Sequence, residues 1–446
     1  MIYYKYSFKH NKNDLIMEDE VKLNCLVIGL GDRGSRFCYV SKELGGRVVA
    51  IAEPDNKKRD FFADKYDIPR ELMFEYGEDA LESGLPFDAV YIATPDKTHF
   101  KLAVLALNKG YNVLLEKPMA PDPTQCIKIL KAQEKSKKSL AVCHVLRYAP
   151  FFQTIKKIAD SGELGKIISI DLIEEIGYWH FAHSYVRGNW RKEEESSPII
   201  LAKSCHDLDI ISWLAESTPK SVFSKGSLDI FKQENAPKTS TERCINCPVK
   251  DCLYDARKFY LNHKGEIRWP YNVISPTDLS EEARLEAIKK GPYGRCVFKC
   301  DNNVCDNQEV LIYFKNKIRA SFILRAGGFQ PTRKINVYFE RGEISGNMWR
   351  GKITKIKYTG RRNEDEIEEI DTHSLGSHGG GDPRLIKDFF GTINSQNYED
   401  NLTSAQKSLQ SHLIAFAAEK SRKMGKFGRV VNYERYVKEL GIITKE

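Results

Sequence analysis

The first third of the chain alternates two apolar periods. Continuous β-rich runs, LNCLVIGLG, RVVAIAE, FDAVYIAT, YNVLLE and SLAVCHV, are separated by stretches with helical spacing: DRGSRFCYVSKEL, KKRDFFADKY, HFKLAVLALNKG and TQCIKILKAQEKSK. Strands without polar alternation, each followed by a helix, predict a doubly wound parallel sheet with both faces covered. Farther on, LAKSCHDLDIISWL is predicted as one apolar helix from Leu201 to Leu214, yet it holds Lys203, His206, Asp207 and Asp209. On a helix Ala202, His206 and Asp209 share a strip beside the apolar stripe Leu201, Cys205, Leu208 and Ile211, so His206 is able to face a cleft while Asp207 or Asp209 holds its ring.

At 446 residues the chain exceeds a single core, and the expected organisation is an N-terminal extension over 1–21, a dinucleotide-binding domain over 22–145 and a second domain over 146–446 with an insertion at about 240–306. The formal charge of +8 is spread through mixed runs such as KKRDFFADK and RRNEDEIEE, which calls for neither a nucleic-acid nor a membrane partner. No run reaches the roughly 18 apolar residues of a spanning helix, and no signal-like segment opens the chain; a soluble cytoplasmic protein is expected.

Gly29, Gly31 and Gly34 form G-x-G-x-x-G, with Asp32 and Arg33 between, at the first strand-to-helix turn, and Glu53 ends the second strand 19 residues after Gly34. Such glycines let backbone N–H groups approach a pyrophosphate, and a carboxylate in that place accepts ribose hydroxyls while repelling a 2′-phosphate. NAD is therefore the expected cofactor, with NADP the alternative through Arg59. Thr94, Pro95 and His99 follow one strand, and Glu116-Lys117-Pro118 another, so both should border the cofactor crevice.

In this order and spacing GLGDRG, TPDKTH, EKPMA, RYAPFF, SGELGKI, HDLD and SHGGGDPRLIKDF resemble the Gfo/Idh/MocA oxidoreductases, which act on sugars, cyclitols and related polyols with NAD(P). The resemblance implies an α/β chain: a Rossmann domain plus a C-terminal α+β domain with a large, mostly antiparallel open sheet, a long closing helix in TSAQKSLQSHLIAFAAEKSRKMGK, and a homodimer or homotetramer. It also places the E-K-P lysine and the helix histidine at the substrate carbinol, roles that fall on Lys117 and His206. Oxidising a secondary alcohol requires its hydroxyl proton to leave, so His206 is the expected base and Lys117 the group that orients the hydroxyl; the two are able to exchange roles. Many relatives carry an aspartate four residues before that histidine. Here the position is Ala202, and the adjacent Lys203 is a candidate for a substrate carboxylate or keto oxygen, or for an ion pair with Asp207. Arg147, Tyr148, Tyr178, His180, Asp209 and His378 complete the substrate candidates, and Asp382 is read either as one more or as a helix cap.

Three functions compete: a sugar, cyclitol or sugar-acid dehydrogenase; a glycosidase that works through transient oxidation by bound NAD; and a non-catalytic sensor of NAD and sugar. Finally, six of eleven cysteines crowd into 62 residues as Cys244-x2-Cys247-x4-Cys252 and Cys296-x3-Cys300-x4-Cys305. The expected ligands of a structural zinc are Cys244, Cys247 and Cys252 with either Cys296 or Cys300; an iron–sulfur cluster, disulfides and idle thiols are the alternatives.

Overall fold

The computed structural model describes residues 22–262, 269–361, 363–373, 377–398 and 400–442. The proposed extension over residues 1–21 lies outside them. Five predicted strands are present as β1 (Asn24–Ile28), β2 (Arg47–Ala52), β4 (Ala89–Ile92), β5 (Asn112–Leu115) and β6 (Leu140–Val142). A two-residue edge strand, β3 (Met73–Phe74), is too short to show a period and was not anticipated. All pair in parallel in the order β3-β2-β1-β4-β5-β6. Strand order reverses between β1 and β4, which opens a crevice beyond their carboxyl ends. Two hydrophobic clusters, one on each face, explain why these strands show no polar alternation.

The second sheet has nine strands: β7 (Ile167–Gly177), β8 (Pro219–Ser227), β9 (Asn307–Phe314), β10 (Arg319–Gly328), β11 (Thr332–Phe339), β12 (Gly342–Asn347), β13 (Lys352–Lys357), β14 (Glu366–Asp371) and β15 (Val431–Asn432). Their order is β14-β13-β12-β11-β7-β10-β9-β8-β15, and every pairing is antiparallel except β7 with β10. The expected mostly antiparallel sheet is thus present. β9 alternates, burying Val310, Ile312 and Phe314 while Leu311 and Tyr313 stay exposed. The helix Ala405–Lys423 covers the buried side, but it does not close the chain, because β15 and the helix Tyr433–Glu439 follow it. Among the described residues no helix is long and apolar enough to cross a membrane.

One helix differs from expectation in a way that shapes the site. The stretch from Leu201 to Leu214 is two helices, Ile199–Ala202 and Cys205–Ala215, joined by a turn at Lys203 and Ser204 in which Ser204 leaves the helical region. In an unbroken helix the Ala202 carbonyl would accept the His206 amide. Here it is taken by the Lys117 ammonium, Nζ to O 2.6 Å.

Candidate active site

At the β1 turn the three glycines serve different ends. Gly29 has φ +88°, and a Cβ there would lie 2.6 Å from the Ala93 carbonyl oxygen; one on Gly34 would lie 1.8 Å from the Gly29 oxygen. Those two are required by packing. A Cβ on Gly31 would meet nothing within 4 Å, which leaves the start of helix Asp32–Glu43 open, and no side chain caps that helix. Uncapped N–H groups on an open face fit a pyrophosphate. Glu53 closes the turn: its Oε2 accepts the Leu30 amide at 2.8 Å and Oε1 accepts that of Asp55 at 3.2 Å. Arg59 donates to the Glu53 main-chain oxygen.

Beyond β4 and β5 the expected border residues divide. Thr94 and Pro95 lie partly or fully open at the crevice, with Asp32 exposed at the helix start. His99 is buried between two carbonyl oxygens, of Pro118 (2.7 Å) and Thr94 (2.8 Å), so it ties the two turns together and presents no nitrogen to a coenzyme. Arg33 bridges Glu116 and Asp382, at 2.5 and 2.9 Å, joining the first sheet to the helix Gly381–Ser395 of the second half. Asp382 is fully buried and caps no helix. His378 also reaches it, at 3.3 Å, and burial is overcome by the Arg33 charge to hold its carboxyl far below the usual range.

His206 lies 4% exposed at the start of its helix, with its ring 5.8 Å from that of His144 and 6.0 Å from that of His378. Its Nδ1 is buried without a hydrogen-bond partner. Burial, and then the nearby Lys117 charge, push its pKa well below the ordinary histidine value, so the ring is neutral and able to accept a proton. Lys117 and His206, 89 positions apart, therefore share one compartment. Neither Asp207 nor Asp209 holds the His206 ring, contrary to the helical-strip reading. Asp207 pairs with Arg333 at 2.9 Å, and Asp209 pairs with Arg147 and with His144, which stands between it and His206.

Next to this pair sits a charge cluster that sequence reasoning missed. Glu174 on β7 is fully buried between Arg333 (2.7 Å), its cross-strand neighbour on β11, and Lys203 (3.3 Å). Lys203 is thus paired with Glu174 and not with Asp207, and burial lowers its pKa while raising that of Glu174. The signal was available. Glu174 shares strand parity with Ile170, Leu172 and Ile176, as Arg333 does with Ile335 and Val337, and all of these are buried. A charged residue at a core-facing strand position announces a buried partner. His180 also borders the cluster: its Nδ1 is buried and partnerless, and burial with the Lys203 charge keeps it neutral. Tyr178 packs edge-on against Tyr254 at 6.3 Å.

Three substrate candidates are corrected. Arg147 spends its donors on Asp209, at 2.7 and 2.8 Å, and on the carbonyls of Leu402 and Lys407. Asp209 is committed to that pair, and the Tyr148 hydroxyl donates to Asp388 at 2.6 Å. All three are buried, and their bonds tie the turn after β6 to the helices Cys205–Ala215 and Gly381–Ser395 and to the segment 402–407.

Two clusters invite a metal. His144, Cys205 and His412 bring potential ligand atoms within 4.8 Å of one another. His412, however, uses Nδ1 on the Ser408 carbonyl and accepts the Met119 amide at Nε2, so it has no lone pair left for an ion. The second is the cysteine-rich insertion: Cys244, Cys247, Cys252 and Cys296 line one cavity of about 10 Å³, whereas Cys300 and Cys305 do not.

A parallel sheet with a fingerprint turn, facing a lysine, a neutral histidine and a second sheet across the crevice, defines a nicotinamide-dependent oxidoreductase architecture. Residues 23–144 match the oxidoreductase family, NAD-binding Rossmann fold, and residues 156–431 match the oxidoreductase family, C-terminal alpha/beta domain. The chain belongs to the Gfo/Idh/MocA family. It is 25% identical over 333 residues to the putative oxidoreductase YteT of Bacillus subtilis, covering 71% of this chain and 76% of that one. It is 29% identical over 199 residues to an inositol 2-dehydrogenase of Corynebacterium glutamicum, covering 44% of this chain and 55% of the enzyme. Among solved structures, levoglucosan dehydrogenase with NADH and levoglucosan superposes at TM-score 0.68 and 17% identity over 92% of this chain and 99% of that one.

Proposed function

We propose that this chain is an NAD-dependent dehydrogenase or reductase acting on a secondary alcohol or ketone of a sugar, cyclitol or sugar acid. The observation that carries this is the Lys117 ammonium held on the Ala202 carbonyl, at the break that opens the His206 helix. The open Gly31 face and the helix N–H groups behind it would hold the pyrophosphate, and Glu53 the adenosine ribose. A carboxylate in that place favours NAD over NADP. When bound, the nicotinamide supplies the hydride acceptor or donor. Lys117 hydrogen-bonds and orients the substrate oxygen, and the neutral His206 takes the hydroxyl proton in oxidation and returns it in reduction. His180 and the Lys203–Glu174 pair form the polar wall that reads the remaining hydroxyls or a carboxylate.

The proposal extends to a structural zinc on the cysteine-rich insertion and to a homo-oligomer, supported by the apolar residues Leu311 and Tyr313 exposed on the outer face of the second sheet. Eleven unpaired cysteines favour a reducing, cytoplasmic setting. To test the redox reading, the protein is purified, any retained nucleotide is identified by mass spectrometry, and a panel of sugars, cyclitols and sugar acids is screened with NAD and NADP by the near-ultraviolet absorbance of reduced nicotinamide. Turnover that disappears in Lys117→Met and His206→Asn is expected. Glycoside cleavage without net coenzyme reduction, or a panel hit indifferent to both substitutions, would overturn it.

A further inference from the structure

We infer that Cys244, Cys247, Cys252 and Cys296 are the four ligands of one tetrahedral zinc ion, a closed site that fastens the insertion to the substrate domain. The inference deepens the zinc reading above and is independent of the hydride chemistry.

Two separate strips of chain are brought together to make the site. Cys244–Asn246 forms a 3-10 turn, closed by the Cys247 amide on the Cys244 carbonyl at 3.1 Å, which keeps the first two cysteines on one tight turn. Arg243 bridges Arg295 in antiparallel fashion, and the Cys296 amide donates to the Glu242 carbonyl at 2.9 Å. That pairing sets Cys296 beside Cys244 although 52 positions separate them. All four cysteines line the small cavity. No three of them lie within 4.8 Å of one another, against about 3.8 Å between sulfurs that each stand 2.3 Å from zinc. Binding the ion therefore requires the four side chains to draw together from this arrangement.

Cys300 is set apart from the four because it does not line the cavity. It donates to the Cys296 carbonyl at 3.3 Å and packs against the main core, where Cys305 is buried as well. Arg187, 3% exposed, brings Nη2 to 3.5 Å from the Cys244 sulfur while donating to the carbonyls of Tyr254 and Arg295. A buried cation against a sulfur suits a thiolate set that carries two net negative charges around a divalent ion. Need points the same way. The insertion's own cluster has five buried members, Cys244, Ala256, Tyr260, Ile274 and Ile288, which is the size of core that small folds supplement with a metal. Loading costs four thiol protons released to solvent for one ion bound, with no change of oxidation state. Four thiolates leave no position for substrate, so the ion is structural.

Metal analysis of the purified full-length protein by plasma mass spectrometry tests this, alongside zinc-edge X-ray absorption. Expected are about one zinc per chain and four sulfur neighbours near 2.3 Å. Cys296→Ser should lose most of the zinc, while Cys300→Ser and Cys305→Ser keep it. Iron with acid-labile sulfide, absence of metal, nitrogen or oxygen in the first coordination sphere, or loss of zinc in Cys300→Ser but not Cys296→Ser would each overturn the ligand set. If Cys296→Ser does not fold, the absorption spectrum of the unsubstituted protein still counts the sulfurs. Calorimetric titration with NADH, run on the same samples, reports the coenzyme reading separately.

Discussion

Lys117→Met is the substitution with the most informative set of consequences. The ammonium donates to the Ala202 oxygen at 2.6 Å, and among the described residues no carboxylate pairs with it. Removing a charge-assisted bond from a partly exposed ammonium to a buried carbonyl costs about 1.5–3 kcal/mol of stability, which full-length protein reports as a lowered urea midpoint. The chemical cost is larger. A positioned group that handles the reacting hydroxyl contributes roughly 10²–10⁴ in rate, equivalent to about 3–5 kcal/mol of barrier. Coenzyme affinity should change little, because the pyrophosphate and ribose are held at the other end of the crevice. A third consequence concerns pH. After burial, the Lys117 charge is the largest influence holding the His206 pKa down; without it the imidazole becomes more basic. Since oxidation requires neutral His206, the acid limb of kcat/KM against pH moves to higher pH in Lys117→Met. The assays are kcat/KM across pH with the substrate found by the panel, and calorimetric titration of NADH. A variant within about threefold of the unsubstituted rate, with an unmoved acid limb, would refute the placement of Lys117 beside His206.

Other outcomes follow from the same contacts. Gly31→Val should fold with unchanged thermal stability but bind NADH much more weakly, since its Cβ enters open space where the pyrophosphate is expected, whereas Gly34→Ala should destabilise the turn, its Cβ falling 1.8 Å from the Gly29 oxygen; equal behaviour of the two in melting and titration would count against the assigned glycine roles. Asp209→Asn should cost about 3–5 kcal/mol in urea denaturation, because it strands the buried Arg147 guanidinium. Burial works against ionisation of Asp209, but the Arg147 and His144 charges prevail and hold it at about 2. This lowered value means that its stabilisation is complete above the ordinary aspartate value of about 4 and fades as pH falls toward 2, a fade that Asp209→Asn should lack. Glu53→Ala should narrow the preference for NAD over NADP, read as the ratio of calorimetric affinities; an unchanged ratio would remove Glu53 from the ribose site.

What the chain disclosed in advance depended on range of interaction. The parallel sheet, the fingerprint turn and Lys117 were legible because a strand buried on both faces and the residues at its end are local patterns. β3 was not, since two residues carry no period. The break at Lys203 and Ser204 was hidden for the opposite reason: the apolar spacing of LAKSCHDLDIISWL is helical throughout, and the carbonyl freed at the break is bonded by a lysine 85 positions away, a contact no local pattern reveals. Arg147 and Tyr148 were misjudged because polar residues after a strand suggest a cleft, while a second half of the chain packs over this strand end and buries them. Glu174 and Arg333, by contrast, stood at core-facing strand positions in plain view. Neither belongs to a sequence motif, and strand parity in the second sheet alone marks them.

The broken helix also gives Lys117 a partner that is not a carboxylate. A continuous helix would spend the Ala202 carbonyl on the His206 amide and leave Lys117 facing a methyl group. With the chain unwound at Lys203 and Ser204, that carbonyl accepts the ammonium instead, and Lys203 is directed to Glu174 across the second sheet. A neutral oxygen is thus the partner of Lys117. Within the buried set, Lys203 and Arg333 are balanced by Glu174 and Asp207, so the charge of Lys117 is left uncompensated beside the histidine. At about 4 Å and an effective dielectric of about 20, such a charge interacts with an anionic group by about 4 kcal/mol. On the proposed reading, the substrate's developing alkoxide or carboxylate is what meets that charge.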